Sequence, residues 1–249
     1  MKKTTAWIVI PTYNEAQNII PLLEQLMVLP TSALPQGMSL YFLVVDDQSP
    51  DGTAALVQKY QKEIKGKNVH ILIRDGKRGR GLAGIAGFQY ALREGADYVL
   101  EMDADFSHDP SSVPLLLEKC QEYDVVLGSR FVEGGKTIKR QWYRNVITFF
   151  ANNYIRFFLG IPVRDCNSGF RCFKRKVLES LNFGTFTSEG PSIVQELLYK
   201  AYLKGYSITE VPIIFKERQK GASKMGFRSL YKGYFMVLSL RIQKILGKL

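Results

Sequence analysis

The chain has 249 residues, 46% of them hydrophobic, and its 34 Lys and Arg residues outnumber 23 Asp and Glu residues for a formal net charge of +11. This composition excludes a largely disordered chain, and the length suffices for one α/β domain with a sizeable core. The positive charge favours an anionic partner such as phosphate groups, nucleic acid or an anionic membrane. No nucleic-acid-binding motif accompanies the basic residues, so nucleic acid is not an expected partner.

Three cysteines, Cys120, Cys166 and Cys172, follow no metal-ligand spacing. Their odd number, in a sequence without a recognisable signal peptide, predicts reduced thiols and a cytoplasmic location. No stretch offers the roughly 20 uninterrupted apolar residues of a transmembrane helix. We therefore expect a cytoplasmic protein that reaches a membrane only at its surface.

Short apolar runs alternate with helical patterns along the first half of the chain. The predicted strands are Ala6–Ile10, Tyr41–Val45, Val69–Ile73, Tyr98–Met102 and Val125–Gly128. The predicted helices include one after Pro11–Glu15, with Asn14 as a plausible cap, and those at Ala54–Ile64, Leu82–Glu94 and Ser111–Gln121. This alternation predicts an α/β fold with a mostly parallel central sheet flanked by helices.

The pattern changes after Arg130. An aromatic helix is predicted at Trp142–Leu159, a short strand at Phe170–Phe173, a helix at Ser188–Lys204 and extended segments within Tyr206–Phe215. Residues 226–249 mix aromatic, aliphatic and basic side chains, which predicts one or two amphipathic helices that pack on the domain or lie on a membrane. We therefore divide the chain into a domain of residues 1–225 and a C-terminal segment of residues 226–249.

Polar side chains follow three of the predicted strands: Tyr13 and Glu15, Asp46 and Asp47, and Asp103 and Asp105. In parallel sheets ligands bind beyond the carboxyl ends of the strands. Residues i and i+2 of an extended chain point the same way, so Asp103 and Asp105 could share one cation. Carboxylates favour Mg²⁺ or Mn²⁺, which predicts a metal-bound diphosphate of a nucleotide-sugar.

Six motifs occur in order along the chain. They are Pro11-Thr-Tyr-Asn-Glu15, Asp46-Asp-Gln-Ser-Pro-Asp-Gly-Thr53, Asp103-Ala-Asp-Phe-Ser-His-Asp-Pro110, Gly128-Ser-Arg-Phe131, Asn167-Ser-Gly-Phe-Arg171 and Glu217-Arg-Gln-Lys-Gly-Ala-Ser-Lys224. Together they resemble the dolichol- and polyprenol-phosphate mannose synthases, which are inverting family 2 glycosyltransferases of the glycosyltransferase-A fold. The resemblance covers most of the chain, from about Ile8 to Lys224.

The resemblance implies roles for individual residues. The nucleoside would be held by Pro11, Tyr13, Glu15, Val45 and Asp47. The diphosphate would be held by Asp103, Ala104, Asp105, Phe106 and Ser107, with Mg²⁺ or Mn²⁺ bound by Asp103, Asp105 and Ser107. Donor phosphates would also be contacted by Arg130, Arg218 and Lys224, and the acceptor phosphate by Arg144 and Thr148, where relatives have Arg and Ser. Asp105, Arg130 and Arg144 are the expected catalytic residues.

The implied reaction is transfer of mannose from GDP-mannose to polyprenyl or dolichyl phosphate, by one displacement with inversion, on the cytoplasmic face of a membrane. An ionised phosphate needs no strong general base. Ser188-Glu-Gly-Pro191 departs from the more aromatic segment of mannose synthases, which leaves a UDP-sugar donor open. A glycan-hydroxyl acceptor, with Glu189 or Asp165 as base, a catalytically silent membrane scaffold and a membrane-anchoring partner subunit also remain open.

Overall fold

The computed structural model describes residues 3–63, 68–217 and 227–247. The strands are β1 (Thr4–Thr12), β2 (Met38–Asp46), β3 (Val69–Ile73), β4 (Tyr98–Glu101), β5 (Val125–Ser129), β6 (Lys136–Ile138), β7 (Arg171–Lys174), β8 (Ile208–Pro212) and β9 (Ile214–Lys216). The α-helices are α1 (Ile19–Met27), α2 (Thr53–Glu63), α3 (Arg80–Arg93), α4 (Val113–Glu122), α5 (Trp142–Leu159), α6 (Arg175–Ser180), α7 (Ile193–Leu203) and α8 (Phe227–Ile245). Short 3₁₀ turns lie at Thr31–Ala33, Pro110–Ser112 and Phe183–Thr185.

Seven strands form the central sheet in the order β3-β2-β1-β4-β7-β5-β8. Every neighbouring pair is parallel except those of β7, which runs antiparallel to both β4 and β5. The mostly parallel sheet is therefore confirmed. A separate pair of parallel strands, β6 and β9, lies outside this sheet. It joins the segment before α5 to the segment that follows β8.

Helices cover both faces of the sheet. Side chains along each strand alternate between the two faces, so each strand contributes to both cores. On β1, Ile8 belongs to the core that includes α1, α2 and α4, whereas Val9 belongs to the core that includes α3 and α5 to α8. Helix α3 approaches β1 so closely that a Cβ added at Gly87 would lie 2.3 Å from Val9 Cγ1. Both cores consist mainly of fully buried aliphatic and aromatic residues.

Several sequence expectations differ from the structure at element ends. Asn14 does not cap a helix: its φ is 61° and α1 starts at Ile19. Helix α7 starts at Ile193 rather than Ser188, after a segment that contains Pro191. The sequence analysis also missed β6 and α6, since three- and six-residue elements are too short for periodicity to show.

Within residues 227–247, the C-terminal segment forms a single helix, α8, where one or two were expected. Its Met236, Val237 and Leu240 are buried in the core with α5 and α7. All three cysteines are buried and free of disulfides. Across the parts of the chain that the structure describes, no helix combines the length and apolar character needed to cross a membrane.

Candidate active site

The polar groups predicted to form a site follow strands that end at one edge of the sheet. Strands β1, β2 and β4 are adjacent and parallel, and β1 Thr12 is paired with β2 Asp46. The residues that follow, including Tyr13, Asp47 and Asp103, are therefore brought to the same edge, as the sequence predicted. This edge is the candidate active site.

Asp47 is buried and fixes the glycine-rich loop that precedes α3. Its Oδ2 accepts a hydrogen bond of 2.8 Å from the Gly79 N–H, and its Oδ1 is paired with the Arg74 guanidinium. A Cβ at Gly79 would lie 2.5 Å from the Glu189 carbonyl oxygen, and one at Gly81 would lie 2.8 Å from that of Gly190. The two glycines thus permit close packing of two backbone segments, a role that the sequence analysis did not consider.

Asp46 and Asp51 hold turns. Asp46 Oδ2 accepts from the Ser49 N–H at 2.8 Å, and its Oδ1 accepts from the Thr12 hydroxyl at 3.1 Å. Asp51 accepts hydrogen bonds from the backbone N–H groups of Thr53 and Ala16, both at 3.0 Å. Burial raises the pKa of Asp51, but the hydrogen bond from the Thr53 hydroxyl, together with these backbone bonds, outweighs it and lowers the pKa overall. Both aspartates therefore shape the loops around the site.

The other residues expected near a nucleoside occupy different environments. The Tyr13 hydroxyl accepts from Arg78 Nη1 at 2.9 Å, and the Arg78 guanidinium lies 5.0 Å from the Tyr13 ring centre. Glu15 accepts from Asn18 Nδ2 at 2.7 Å, and Pro11 is half-buried in β1. Val45 is fully buried beside α3, which leaves only its backbone for a nucleoside.

Asp103 and Asp105 lie in a turn rather than at the end of a strand. Strand β4 ends at Glu101, and Phe106 has a φ of 60°, so the alternation argument for Asp103 and Asp105 does not apply. Asp105 is 8% exposed, and its Oδ1 accepts from the Ser107 N–H at 3.0 Å. The Arg80 guanidinium is bonded to Asp103, and the charge of Asp105 also raises the pKa of Arg80.

Arg80, Glu101 and Arg171 form a charged layer, half-buried at Arg80 and buried at the other two, that the sequence analysis did not assign. Arg80 donates to Asp103 Oδ1 through Nε at 3.0 Å and Nη2 at 2.8 Å, and its Nη1 donates to Glu101 Oε1 at 3.2 Å. Burial alone would lower the pKa of Arg80, but Asp103 and Glu101 raise it overall. Arg80 therefore stays charged on the Asp103 carboxylate.

Glu101 and Arg171 form the rest of this charged layer. Burial raises the pKa of the Glu101 carboxyl, an effect that the charges of Arg80 and Arg171 oppose. Burial lowers the pKa of Arg171 to about 10, and this side chain donates to the carbonyl oxygens of Ser168 and Val194. A carboxylate inside the apolar run of β4 was the sequence signal for this layer, since buried charges need partners.

His108 is a structural residue. It is 2% exposed, and its Nδ1 accepts from the Asp103 N–H at 3.1 Å. Its ring stacks on Phe170 with the ring centres 4.9 Å apart and contacts Phe215 edge-on at 5.9 Å. Burial lowers the pKa of His108, which the charge of Asp103 partly offsets. A neutral imidazole therefore fixes the turn that carries the carboxylates.

The predicted arginines are paired with carboxylates. Arg130 binds the fully buried Asp165 through Nε and Nη2, both at 2.7 Å, and through its backbone N–H at 3.1 Å. Arg144 Nη1 donates to Glu217 Oε1 at 2.7 Å. The Thr148 hydroxyl donates to the Arg144 carbonyl oxygen at 2.8 Å, so it is bonded within its own helix. Arg218 and Lys224 lie outside the described residues.

The candidate general bases of the glycan alternative are also engaged. Asp165 is held by Arg130, and Glu189 forms an ion pair with Lys77 on the surface. The buried pairing ties Asp165 to Arg130, whereas Glu189 remains half-exposed in a weak surface pair.

A protein-family model described as "Glycosyl transferase family 2" matches residues 7–181, which is more than half of the chain. The chain belongs to glycosyl transferase family 2. It is 38% identical over 231 residues to a polyprenol monophosphomannose synthase of Mycolicibacterium smegmatis, covering 92% of this chain and 84% of that protein. It is also 38% identical over 218 residues to an undecaprenyl-phosphate mannosyltransferase of Micrococcus luteus, covering 88% and 86%.

Solved structures of other glycosyltransferases share the fold of this family 2 chain. One is a glucosyl-3-phosphoglycerate synthase of Mycobacterium tuberculosis with Mn²⁺ and UDP, with a TM-score of 0.67, 18% identity, and coverage of 96% of this chain and 80% of that one. Another is a mannosyltransferase of Pyrobaculum calidifontis with GDP-Man and Mn²⁺, with a TM-score of 0.61, 18% identity, and coverage of 99% and 65%. The expected glycosyltransferase-A fold is confirmed.

The side-chain oxygens of the carboxylate turn in this glycosyltransferase suit a divalent ion. Within the described ranges, no group of three or more His, Cys, Asp or Glu side chains is arranged to hold a metal. Mg²⁺ commonly binds one or two carboxylates and completes its shell with substrate phosphates and water. Asp103 and Asp105, two carboxylates of one turn, fit that pattern. The roles of these two residues, and of Ser107, in metal binding remain predictions.

Proposed function

We propose that the chain transfers a mannosyl group from GDP-mannose to a polyprenyl phosphate, giving polyprenyl-phosphate mannose and GDP. The observation that carries this proposal is the match of about nine-tenths of the chain to two relatives named for mannosyl transfer involving a polyprenol carrier. The site agrees with it, because it holds Arg130 and Arg144, and the buried Asp165 is tied to Arg130. Mannose rests on the names of these relatives, and GDP on the family resemblance and on the mannosyltransferase structure with GDP-Man, rather than on any single residue.

The proposed reaction is one in-line displacement. An ionised oxygen of the acceptor phosphate attacks the anomeric carbon, and the bond from that carbon to the diphosphate oxygen breaks with its electron pair leaving on GDP. The configuration inverts, and no proton has to be removed from the nucleophile. The metal, when bound, neutralises the charge that develops on the leaving diphosphate.

The chain's own residues would then orient two anionic substrates. Asp103 and Asp105 would hold the metal with the donor, and Asp47 would hold the nucleoside, where it already anchors the loop at Gly79. Arg130 would face the donor phosphates, and Arg144 would bind the acceptor phosphate. Cationic groups at both positions offset the repulsion between donor and acceptor.

A lipid acceptor requires the enzyme to act at a membrane surface, and helices α5 and α8 expose a suitable apolar face. Trp142 and Phe157 of α5 are 76% and 83% exposed, and Ile245 of α8 is 71% exposed. The two helices meet through Tyr154 and Tyr234, whose ring centres lie 4.7 Å apart. Large exposed apolar faces edged by Lys and Arg are typical of helices that lie in the headgroup region. We propose that this face rests on the cytoplasmic leaflet.

The test is transfer of radiolabelled sugar to a short polyprenyl phosphate in detergent with Mg²⁺ or Mn²⁺. GDP-mannose, UDP-glucose and UDP-N-acetylglucosamine are compared, with Asp105→Ala as the inactive variant and the exposed Glu118→Ala as its control. We expect mannosyl lipid only with metal, lost in Asp105→Ala and retained in Glu118→Ala. Transfer from a UDP-sugar alone would overturn the donor, and no lipid product from any donor would overturn the acceptor.

A further inference from the structure

A third arginine, Arg140, lies beside Arg130 and Arg144 in the segment between β6 and α5. Its guanidinium lies 5.8 Å from the centre of the Phe215 ring, and that of Arg130 lies 5.1 Å from the same centre. Arg144 is paired with Glu217, two residues beyond Phe215. Phe215 of β9 and Glu217 just after it therefore bring three guanidinium groups into one cluster.

The charge of Arg140 is not balanced within this cluster. Asp165 pairs with Arg130 and Glu217 pairs with Arg144, so the three arginines face two carboxylates among the described residues. Arg140 Nη1 is buried and has no hydrogen-bond partner in the part of the chain that the structure describes. Burial lowers the pKa of Arg140, and the neighbouring charge of Arg130 lowers it further. A buried donor without a partner is costly, and an anionic oxygen would satisfy both the donor and the charge.

The cluster also lies next to the carboxylate turn. Phe215 contacts His108, the residue that fixes the Asp103 backbone. The next residue, Lys216, donates its N–H to the Ser107 carbonyl oxygen at 3.1 Å and pairs with Asp109. Strand β9 thus places the arginine cluster on one side of the proposed metal site, where a second phosphate group could approach the donor.

The neighbouring surface favours a lipid as the source of that phosphate. Two residues after Arg140, the exposed Trp142 begins the apolar face of α5 that continues through Phe150 and Phe157. A polyprenyl phosphate bound with its head at the arginines could lay its chain along this face. A donor diphosphate has no comparable need for an apolar surface.

We propose that Arg140 binds the phosphate group of the lipid acceptor together with Arg144. This inference rests on the proposed function and adds a residue that neither sequence pattern nor resemblance indicated. Arg140 makes and breaks no covalent bond. It supplies a second cation to the acceptor phosphate, and its planar fork suits phosphate oxygens.

The test compares Arg140→Gln and Arg140→Lys with the exposed Arg93→Gln as a matched control. In steady-state transfer, we expect Arg140→Gln to raise the KM for farnesyl phosphate about tenfold or more and to leave the KM for GDP-mannose unchanged. Arg140→Lys should recover part of the loss. A rise in the KM for GDP-mannose alone would assign Arg140 to the donor and overturn the proposal, as would unchanged KM values for both substrates.

Two further measurements separate the possible failures. Calorimetric binding of farnesyl phosphate, with farnesol as the uncharged comparison, needs no turnover. If the natural chain binds farnesyl phosphate but transfers no mannose, only the proposed function fails; if Arg140→Gln binds it as tightly as the natural chain, the present proposal fails. Arg140→Gln should also melt no lower than Arg93→Gln, because it removes a charged group whose buried Nη1 has no hydrogen-bond partner among the described residues. A purely structural Arg140 would lower the melting temperature.

Discussion

The ion pair between Arg130 and Asp165 supports a quantitative prediction. Asp165 is fully buried and accepts three hydrogen bonds from Arg130, two of them at 2.7 Å. Asp165→Asn keeps the shape but removes the negative charge, which leaves Arg130 buried beside Arg140 without its counter-ion. Removing one partner of a buried ion pair typically costs about 3–5 kcal/mol. For a domain of this size that corresponds to a fall in melting temperature of roughly 6–20 °C.

The matched control is Glu179→Gln. Glu179 pairs with Arg175 one helical turn away, and the two side chains are 48% and 37% exposed. An exposed pair of this kind contributes at most about 0.5 kcal/mol. Urea unfolding followed by circular dichroism, fitted with a common slope, gives both free energies of unfolding.

The outcome distinguishes two roles for Asp165. We expect Asp165→Asn to lose several times more unfolding free energy than Glu179→Gln. Equal losses in the two variants would refute the energetic role of the pair. A stable Asp165→Asn protein that has lost transfer activity would indicate instead that the pair positions Arg130 for the donor phosphates.

Three further predictions concern packing, the metal site and acid stability. Gly87→Ala should lower the free energy of unfolding by about 1–3 kcal/mol in urea titration, because the new methyl group would overlap Val9. Arg80→Gln should tighten Mn²⁺ binding, measured by electron paramagnetic resonance without nucleotide, because Arg80 now competes with a cation for Asp103; unchanged or weaker binding would contradict this. Burial raises the pKa of Asp124, but hydrogen bonds from Lys176 and Ser207 lower it overall. The stabilisation that the Asp124 carboxylate provides is therefore present above the ordinary carboxyl pKa of 3.8 and is lost as the pH falls below it. In acid titration, the free energy of unfolding of Asp124→Asn should therefore fall less steeply with pH than that of the natural chain.

The sequence predicted the layout of the sheet because its signal is local. Apolar runs of β1, β2 and β4 identify buried strands, and parallel pairing then brings Asp47 and Asp103 to one edge without any knowledge of side-chain contacts. Helix α5 was predicted with its observed bounds, since its apolar residues repeat over 18 positions. The positions of the candidate site residues followed from these elements.

The pairing of charges could not be read from the sequence in the same way. Arg130 and Asp165 are 35 positions apart, and Arg80 and Asp103 are 23 apart, so each pair exists only once the strands are aligned. The turn at Phe106 likewise removed the extended geometry assumed for Asp103 and Asp105. Such contacts depend on tertiary register, which no local pattern specifies.

The three buried cysteines make this protein a convenient subject for fluorescence labelling. Burial raises the pKa of the Cys166 thiol to about 12 and that of Cys172 well above its usual value, so thiolate is scarce at neutral pH. Maleimide dyes should therefore leave the natural thiols of the folded chain untouched. A cysteine introduced at the exposed Phe157 would then carry a single environment-sensitive dye. A shift in its emission wavelength on addition of lipid vesicles would show whether α5 moves from water into the membrane surface.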